Sequence, residues 1–154
     1  IDHGYRVDVL EYKGVWLDPG KFDDWLEANK FILKTTLKEK SESKIDSSSK
    51  ISGKVSLGKN CTVVNSKING PTIIGDSVKI IDSEIKSFTS ISDNCEIVSS
   101  KVEKSVLMNG VKIINVKKRP IYESLIGTDT EIVGKDGWGA KTSLFVGEKC
   151  KIQL

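Results

Sequence analysis

From Leu57 onward the apolar positions recur at steps of six, five and six: Leu57, Val63 and Ile68, then Ile74, Ile80 and Ile85, then Ile91, Ile97 and Val102. Neither the 3.6-residue period of a helix nor the alternation of a strand generates that series. A three-sided coil that turns one aliphatic inward on each side does. Residues 57–63, 74–80 and 91–97 also align without gaps at a spacing of 17, and self-similarity at a fixed period is the mark of a repeat architecture. The pattern therefore predicts a mainly β chain, a single-stranded parallel β-helix of hexapeptide repeats with 17-residue coils. Three full hexapeptides would make about 18 residues, so one corner is expected to be a residue short in every layer, at Asn65-Ser66, Asp82-Ser83 and Ser99-Ser100. Fainter copies extend the columns: Ile51 and Val55 fit those of Ile68 and Thr72, and Met108 and Ile114 fit those of Ile91 and Ile97. Residues 126–132 and 146–152 return to the motif after insertions at about 115–121 and 133–144.

Upstream of the repeats the texture differs. Six of the ten aromatic residues fall in the first 31, whereas residues 32–121 hold only Phe88, which separates two regions. Tyr5, Val7 and Val9 alternate with Arg6, Asp8 and Leu10, and Val15, Trp16 and Leu17 follow a Lys13-Gly14 turn signal, so a short strand pair is predicted. After Asp18-Pro19-Gly20, apolar residues at 22, 25, 26, 32 and 33 keep helical spacing, with Asp23 and Asp24 early and Lys34 and Lys38 late, as the helix dipole favours. That predicts one α-helix over about 20–38. The Ser-, Lys- and Glu-rich stretch from Glu39 to Lys50 marks the boundary, giving a first unit of residues 1–39 and a β-helix of 40–154.

Charge adds little. Lysine plus arginine number 24 and aspartate plus glutamate 21, a net +3 that is too weak to point to nucleic acid or a lipid surface. No run approaches the ~18 apolar residues of a membrane span, and no targeting segment follows Ile1, so a cytoplasmic protein that continues upstream of Ile1 is expected. Lys67, Glu84 and Lys101 fall in one column, a charge ladder on a solvated face. Cys61, Cys95 and Cys150 share the small inward position that Val78 and Thr130 fill in sister layers. Cys61 and Cys95, two layers or roughly 10 Å apart, are too distant for a disulfide, and no Cys-x-x-Cys spacing suggests zinc; they read as core fillers. His3, the one histidine, precedes the coils, so residues 45–154 lack the base that hexapeptide acyltransferases generally use to deprotonate the acceptor. The glycine-rich stretch 134–139 lacks the strand-to-helix context of a phosphate loop, and Lys117-Lys118-Arg119 reads as an exposed basic loop.

Residues 14–33, GVWLDPGKFDDWLEANKFIL, resemble the end of the catalytic domain in sugar-phosphate nucleotidyltransferases, with the strongest likeness to long-form glucose-1-phosphate thymidylyltransferases. In that family a Trp-x-Asp-Thr-Gly turn precedes a helix with a Leu-Glu-Ala-Asn core, and hexapeptide repeats follow. Segments 69–75, 90–97 and 123–127 are similar to its carboxy-terminal domain. The resemblance implies a left-handed β-helix and an intact enzyme that joins a nucleoside triphosphate to a sugar 1-phosphate, releasing pyrophosphate, with magnesium. It places Asp18 at the magnesium ligand and Trp16 near the sugar pocket, although Pro19 stands where the family has Thr. The Gly-rich nucleotide loop that would hold the triphosphate is not in this sequence, so the chain itself is expected to be inactive and to serve assembly, as a homotrimer packed through β-helix faces. Two other readings stay open: a hexapeptide acyltransferase module using acetyl-CoA, and a non-catalytic β-helix scaffold.

Overall fold

The computed structural model describes residues 4, 7–118, 120–134 and 143–154. The chain is mainly β, a left-handed parallel β-helix of about six turns with one helix ahead of it. Three parallel sheets form the sides of the prism. The first runs through strands 40–41, 55–57, 72–74, 89–91, 106–107, 125–126 and 145–146; the second through 62–64, 79–81, 96–98, 112–114, 131–133 and 151–153; the third through 50–52, 67–69, 84–85, 101–103 and 121–122. Each strand is two or three residues long and pairs only with those directly above and below. In a three-residue strand of the second sheet the middle side chain turns inward, so the columns found by spacing become the core: Val63, Ile80, Ile97, Ile113 and Ile132 in the second sheet, each 2% exposed or less.

Corners are made by single residues with positive φ. Asn60, Ser77, Asn94 and Asp129 turn the chain from the first sheet to the second, and Asn65, Asp82, Ser99 and Asn115 turn it from the second to the third. Asn and Asp tolerate this left-handed conformation better than other non-glycine residues. The second corner is the short one, as spacing predicts, and a stack of serines closes it. The Ser66 hydroxyl accepts from the Ser83 amide (3.0 Å), that of Ser83 from the Ser100 amide (3.1 Å), and that of Ser100 from the Val116 amide (3.1 Å). Each hydroxyl in turn donates within its own coil, Ser83 to the Ile81 carbonyl at 2.6 Å. Ser83→Ala should therefore cost about 1–3 kcal/mol, because the buried Ser100 amide loses its acceptor; urea denaturation measures it, and a change below about 0.5 kcal/mol would count against the ladder.

Two expectations are corrected. Ile91 and Ile97 pair with Leu107 and Ile113, not with Met108 and Ile114. The cause is the third corner, where five steps carry the chain from Val102 to Leu107 but six carry it from Ile85 to Ile91, although each turns on one residue of positive φ, Lys104 and Phe88. The buried Thr89 hydroxyl has no hydrogen-bond partner among the described residues, whereas the equivalent Thr72 hydroxyl reaches the Asn69 carbonyl at 2.8 Å. The second correction concerns the strand pair: residues 7–17 form no strand, and Val9 is 94% and Leu10 90% exposed. A strand needs a neighbour for its backbone groups, and no described segment lies against this one. Tyr5 and Arg6 fall outside the described residues.

The other registers agree with the spacing. Ile51 pairs with Ile68 and Val55 with Thr72; Ile126 pairs with Val146 and Ile132 with Ile152. In the charge ladder Lys67 stands beside Glu84, and Lys101 reaches Glu84 at 3.2 Å. Cys61 and Cys95 are buried free thiols and Cys150 is half-buried, with Val111 completing their column. Burial pushes the Cys95 thiol from 9.0 up to about 11. Because the folded state holds this proton while the unfolded thiol releases it, the contribution is complete below about pH 9 and is lost as pH rises toward 11. The urea midpoint should fall across that window, and Cys95→Val, matching Val78 and Val111, should flatten the fall. An unchanged slope in the variant would exclude Cys95 as its source.

Candidate functional site

The helix, α1 (Phe22–Thr35), begins where the Lys21 amide donates to the Asp24 carboxylate at 2.9 Å, with Asp23 and Asp24 in its first turn. It lies across the first sheet. At its start Phe22 stacks on Phe145 of the last coil with ring centroids 5.0 Å apart. At its end Leu33 and Leu37 are buried, beside Ser56 and Ile73 of the early coils. α1 thus runs against the direction in which the coils are laid down. Asn29 pins its middle: the side-chain amide donates to the Phe88 carbonyl at 3.1 Å, and its oxygen accepts from the Ser90 hydroxyl.

This docking creates a groove on each side of α1. One, of about 510 Å³, is walled by Ile32, Leu33, Leu37, Ile73 and Ser90 among others. The other, of about 280 Å³, lies over the third corner between Asp23, Glu27 and Lys30 of α1 and Phe88, Lys104 and Glu123 of the coils. It is the chemically denser of the two. Lys104 (φ 49°) sends its ammonium to the Tyr122 hydroxyl at 2.8 Å and the Glu123 carboxylate at 3.3 Å, 4.9 Å from the centre of the Tyr122 ring. The Tyr122 hydrogen bond, and then that of Glu123, hold the Lys104 pKa above its ordinary value, so this lysine is a fixed cation and not a proton acceptor at neutral pH. Glu27 pairs with Lys30 at 3.2 Å along the helix. The groove presents paired charges of both signs, which suits recognition of a small polar molecule more than acid–base chemistry.

The residues singled out by resemblance are elsewhere. Trp16 is 75% exposed and Asp18 is exposed, its carbonyl accepting from the Gly20 amide at 2.8 Å; neither lines either groove beside α1. Among the described residues no group of three or more His, Cys, Asp or Glu gathers to hold a metal ion. His3, Arg119 and residues 135–139 fall outside the described residues. Lys117 and Lys118 are exposed. Sequence reasoning does not reach the Lys104–Tyr122–Glu123 cluster, since all three lie at the corner where the repeat is least regular. The polar Asn29 amid the buried face of α1 is its one available signal.

These features define a hexapeptide-repeat β-helix carrying a docked helix. No protein-family model matches the chain, and no curated protein does. Similar solved structures include a Bacillus cereus protein provisionally named an acetyltransferase, 22% identical over 71% of this chain and 68% of that one, TM-score 0.44. A variant of perosamine N-acetyltransferase from Caulobacter crescentus, in complex with CoA and GDP-perosamine, is 20% identical over 67% of this chain and 49% of that one, TM-score 0.33. A UDP-N-acetylglucosamine acyltransferase is 13% identical over 75% of this chain and 70% of that one, TM-score 0.27. At these identities the likeness concerns the fold alone. Among the described residues no helix is long and apolar enough to cross a membrane.

Proposed function

We propose that the chain is the β-helix part of a sugar-1-phosphate nucleotidyltransferase similar to the glucose-1-phosphate thymidylyltransferases, with assembly as its own task. One observation carries the reading. Most of the segment whose sequence bears the resemblance forms α1, and α1 is fastened to the first sheet through Asn29, Leu33 and Leu37, so the Leu-Glu-Ala-Asn core acts as the coupling between what precedes it and the coils. Asp18 offers one hard carboxylate oxygen. Magnesium usually takes one or two protein carboxylates and completes its shell with water and substrate phosphates, so Asp18 would be one such ligand to that ion, which would offset phosphate charge when bound.

The second reading is acetyl-CoA-dependent acyl transfer, which the names of the three similar structures bring forward. It would need a base on the coils or from another chain, and Lys104, held as a cation by Tyr122 and Glu123, is not suited to the role. Two measurements separate the readings. Coding sequence continuing in frame upstream of Ile1 with a Gly-rich nucleotide loop, and pyrophosphate release by that longer protein from a nucleoside triphosphate and a sugar 1-phosphate, are the expected results. Release of free CoA thiol from acetyl-CoA by the chain with amino-sugar nucleotides would overturn the proposal in favour of acyl transfer.

A further inference from the structure

The three sides of the prism are not equivalent. The first is crossed by α1, and the third turns polar columns outward, Lys67, Glu84 and Lys101 in one and Asn69, Lys86 and Glu103 in the other. The second is flat and has no covering element among the described residues. It displays two outward columns, one on each side of the buried isoleucines. One column is aliphatic as far as its last coil: Val64, Ile81, Val98, Ile114 and Val133, all partly or fully exposed, and then Gln153. The other reads Thr62, Lys79, Glu96, Lys112, Glu131 and Lys151, with charge alternating from coil to coil. Neither Lys79, Glu96, Lys112 nor Glu131 makes an ion pair with another described residue.

We propose that this face binds a second copy of the chain, antiparallel, about a two-fold axis that lies along the strands midway between the coils of Glu96 and Lys112. The order of charges selects the geometry. Reversal about that point sets Glu96 opposite Lys112, Lys79 opposite Glu131, and Thr62 opposite Lys151, so each acidic residue meets a basic one and no like charges meet. The same operation lays Val98 on Ile114 and Ile81 on Val133, with Val64 and Gln153 meeting at the two ends. A copy turned about the solenoid axis would keep the coils level but reverse the strands, laying Lys79, Glu96, Lys112 and Glu131 on the aliphatic column with no opposite charge to meet. An isologous contact of this kind is closed and self-limiting. The patch, six strands at a spacing of about 4.8 Å and three residues wide, falls below the roughly 1,200 Å² of standard interfaces, so the pair is weak and forms with a marked dependence on concentration. Apolar columns supply the attraction, and the charges set the register.

Sedimentation velocity of the chain from micromolar to near-millimolar concentration tests this, with thermal melts by circular dichroism confirming that each variant keeps its fold. A monomer–dimer equilibrium is expected. Val98→Glu should weaken it at least about tenfold. Glu96→Lys should weaken it too, by facing Lys112 of the second copy, and the double exchange Glu96→Lys with Lys112→Glu should restore it. A monomer at every concentration, a mass of three chains, or a dimer that the single exchange leaves intact would each overturn the antiparallel pairing. The test is independent of the catalytic reading, since it measures association without substrate.

Discussion

Truncating Ile97 to alanine is expected to destabilise the chain by about 2–5 kcal/mol, the range for deleting a fully buried isoleucine side chain beyond Cβ. Ile97 has no exposed surface and stands at the centre of the second column, between Ile80 and Ile113. In a solenoid each coil is stabilised by its two neighbours. A cavity in a middle coil therefore weakens two interfaces, and these backbones, fixed by ladder bonds on three sides, have little freedom to collapse into it. The same change at Ile152, half-buried in the last coil with a strand on one side only, should cost well under half as much and loosen only the end of the stack. Urea denaturation of both variants checks the contrast, and equal losses would show that the solenoid does not behave as a chain of nearest-neighbour units.

Gly58→Ala is the second large effect. Gly58, Gly75, Gly127 and Gly147 each follow the inward aliphatic that ends a strand of the first sheet. A Cβ on Gly58 would lie 2.5 Å from the Gly75 carbonyl oxygen and 2.6 Å from its carbon. Main chain cannot swing aside as a side chain does, so the coils must part, at about 1–3 kcal/mol. At Gly147, in the last coil, an added Cβ meets nothing within 4 Å, and Gly147→Ala should leave the melting temperature unchanged. If both substitutions prove neutral, coil spacing along this edge is softer than the geometry implies.

The contrast between these two columns shows what spacing can and cannot reveal. Burial forces a strict choice of aliphatics, so Val63, Ile80 and Ile97 are legible as a column from their spacing alone. Register one coil later is not, because Leu107-Met108 and Ile113-Ile114 are both apolar pairs and either member satisfies a rough repeat. What decides between them is the lost residue at the third corner, and a corner has no inward side chain to announce its length. The serine stack is visible as serines 17 residues apart but reads only as a short corner, since spacing does not show a hydroxyl accepting from the next coil. The strand expectation over 7–17 fails because alternation describes a sequence able to pair and says nothing about whether a partner is present. Trp16 and Asp18 come from resemblance, and they lie on or just after that same unpaired segment. Lys104, Tyr122 and Glu123 gather through the irregular corner, which periodicity cannot address.

The corners that absorb these changes of length have a practical side. From one coil to the next the chain has lost a residue between Val102 and Leu107 and gained several between Ile114 and Ile121, and the isoleucine columns pass through both places in register. Foreign peptides grafted there, as epitopes or affinity handles, would leave the prism through its edge, while the same insertion within a strand would displace every inward side chain downstream in its coil. The solenoid is in this respect a ruler with about one rung per 4.8 Å, on which added sequences can be mounted at set heights without being built into the shaft.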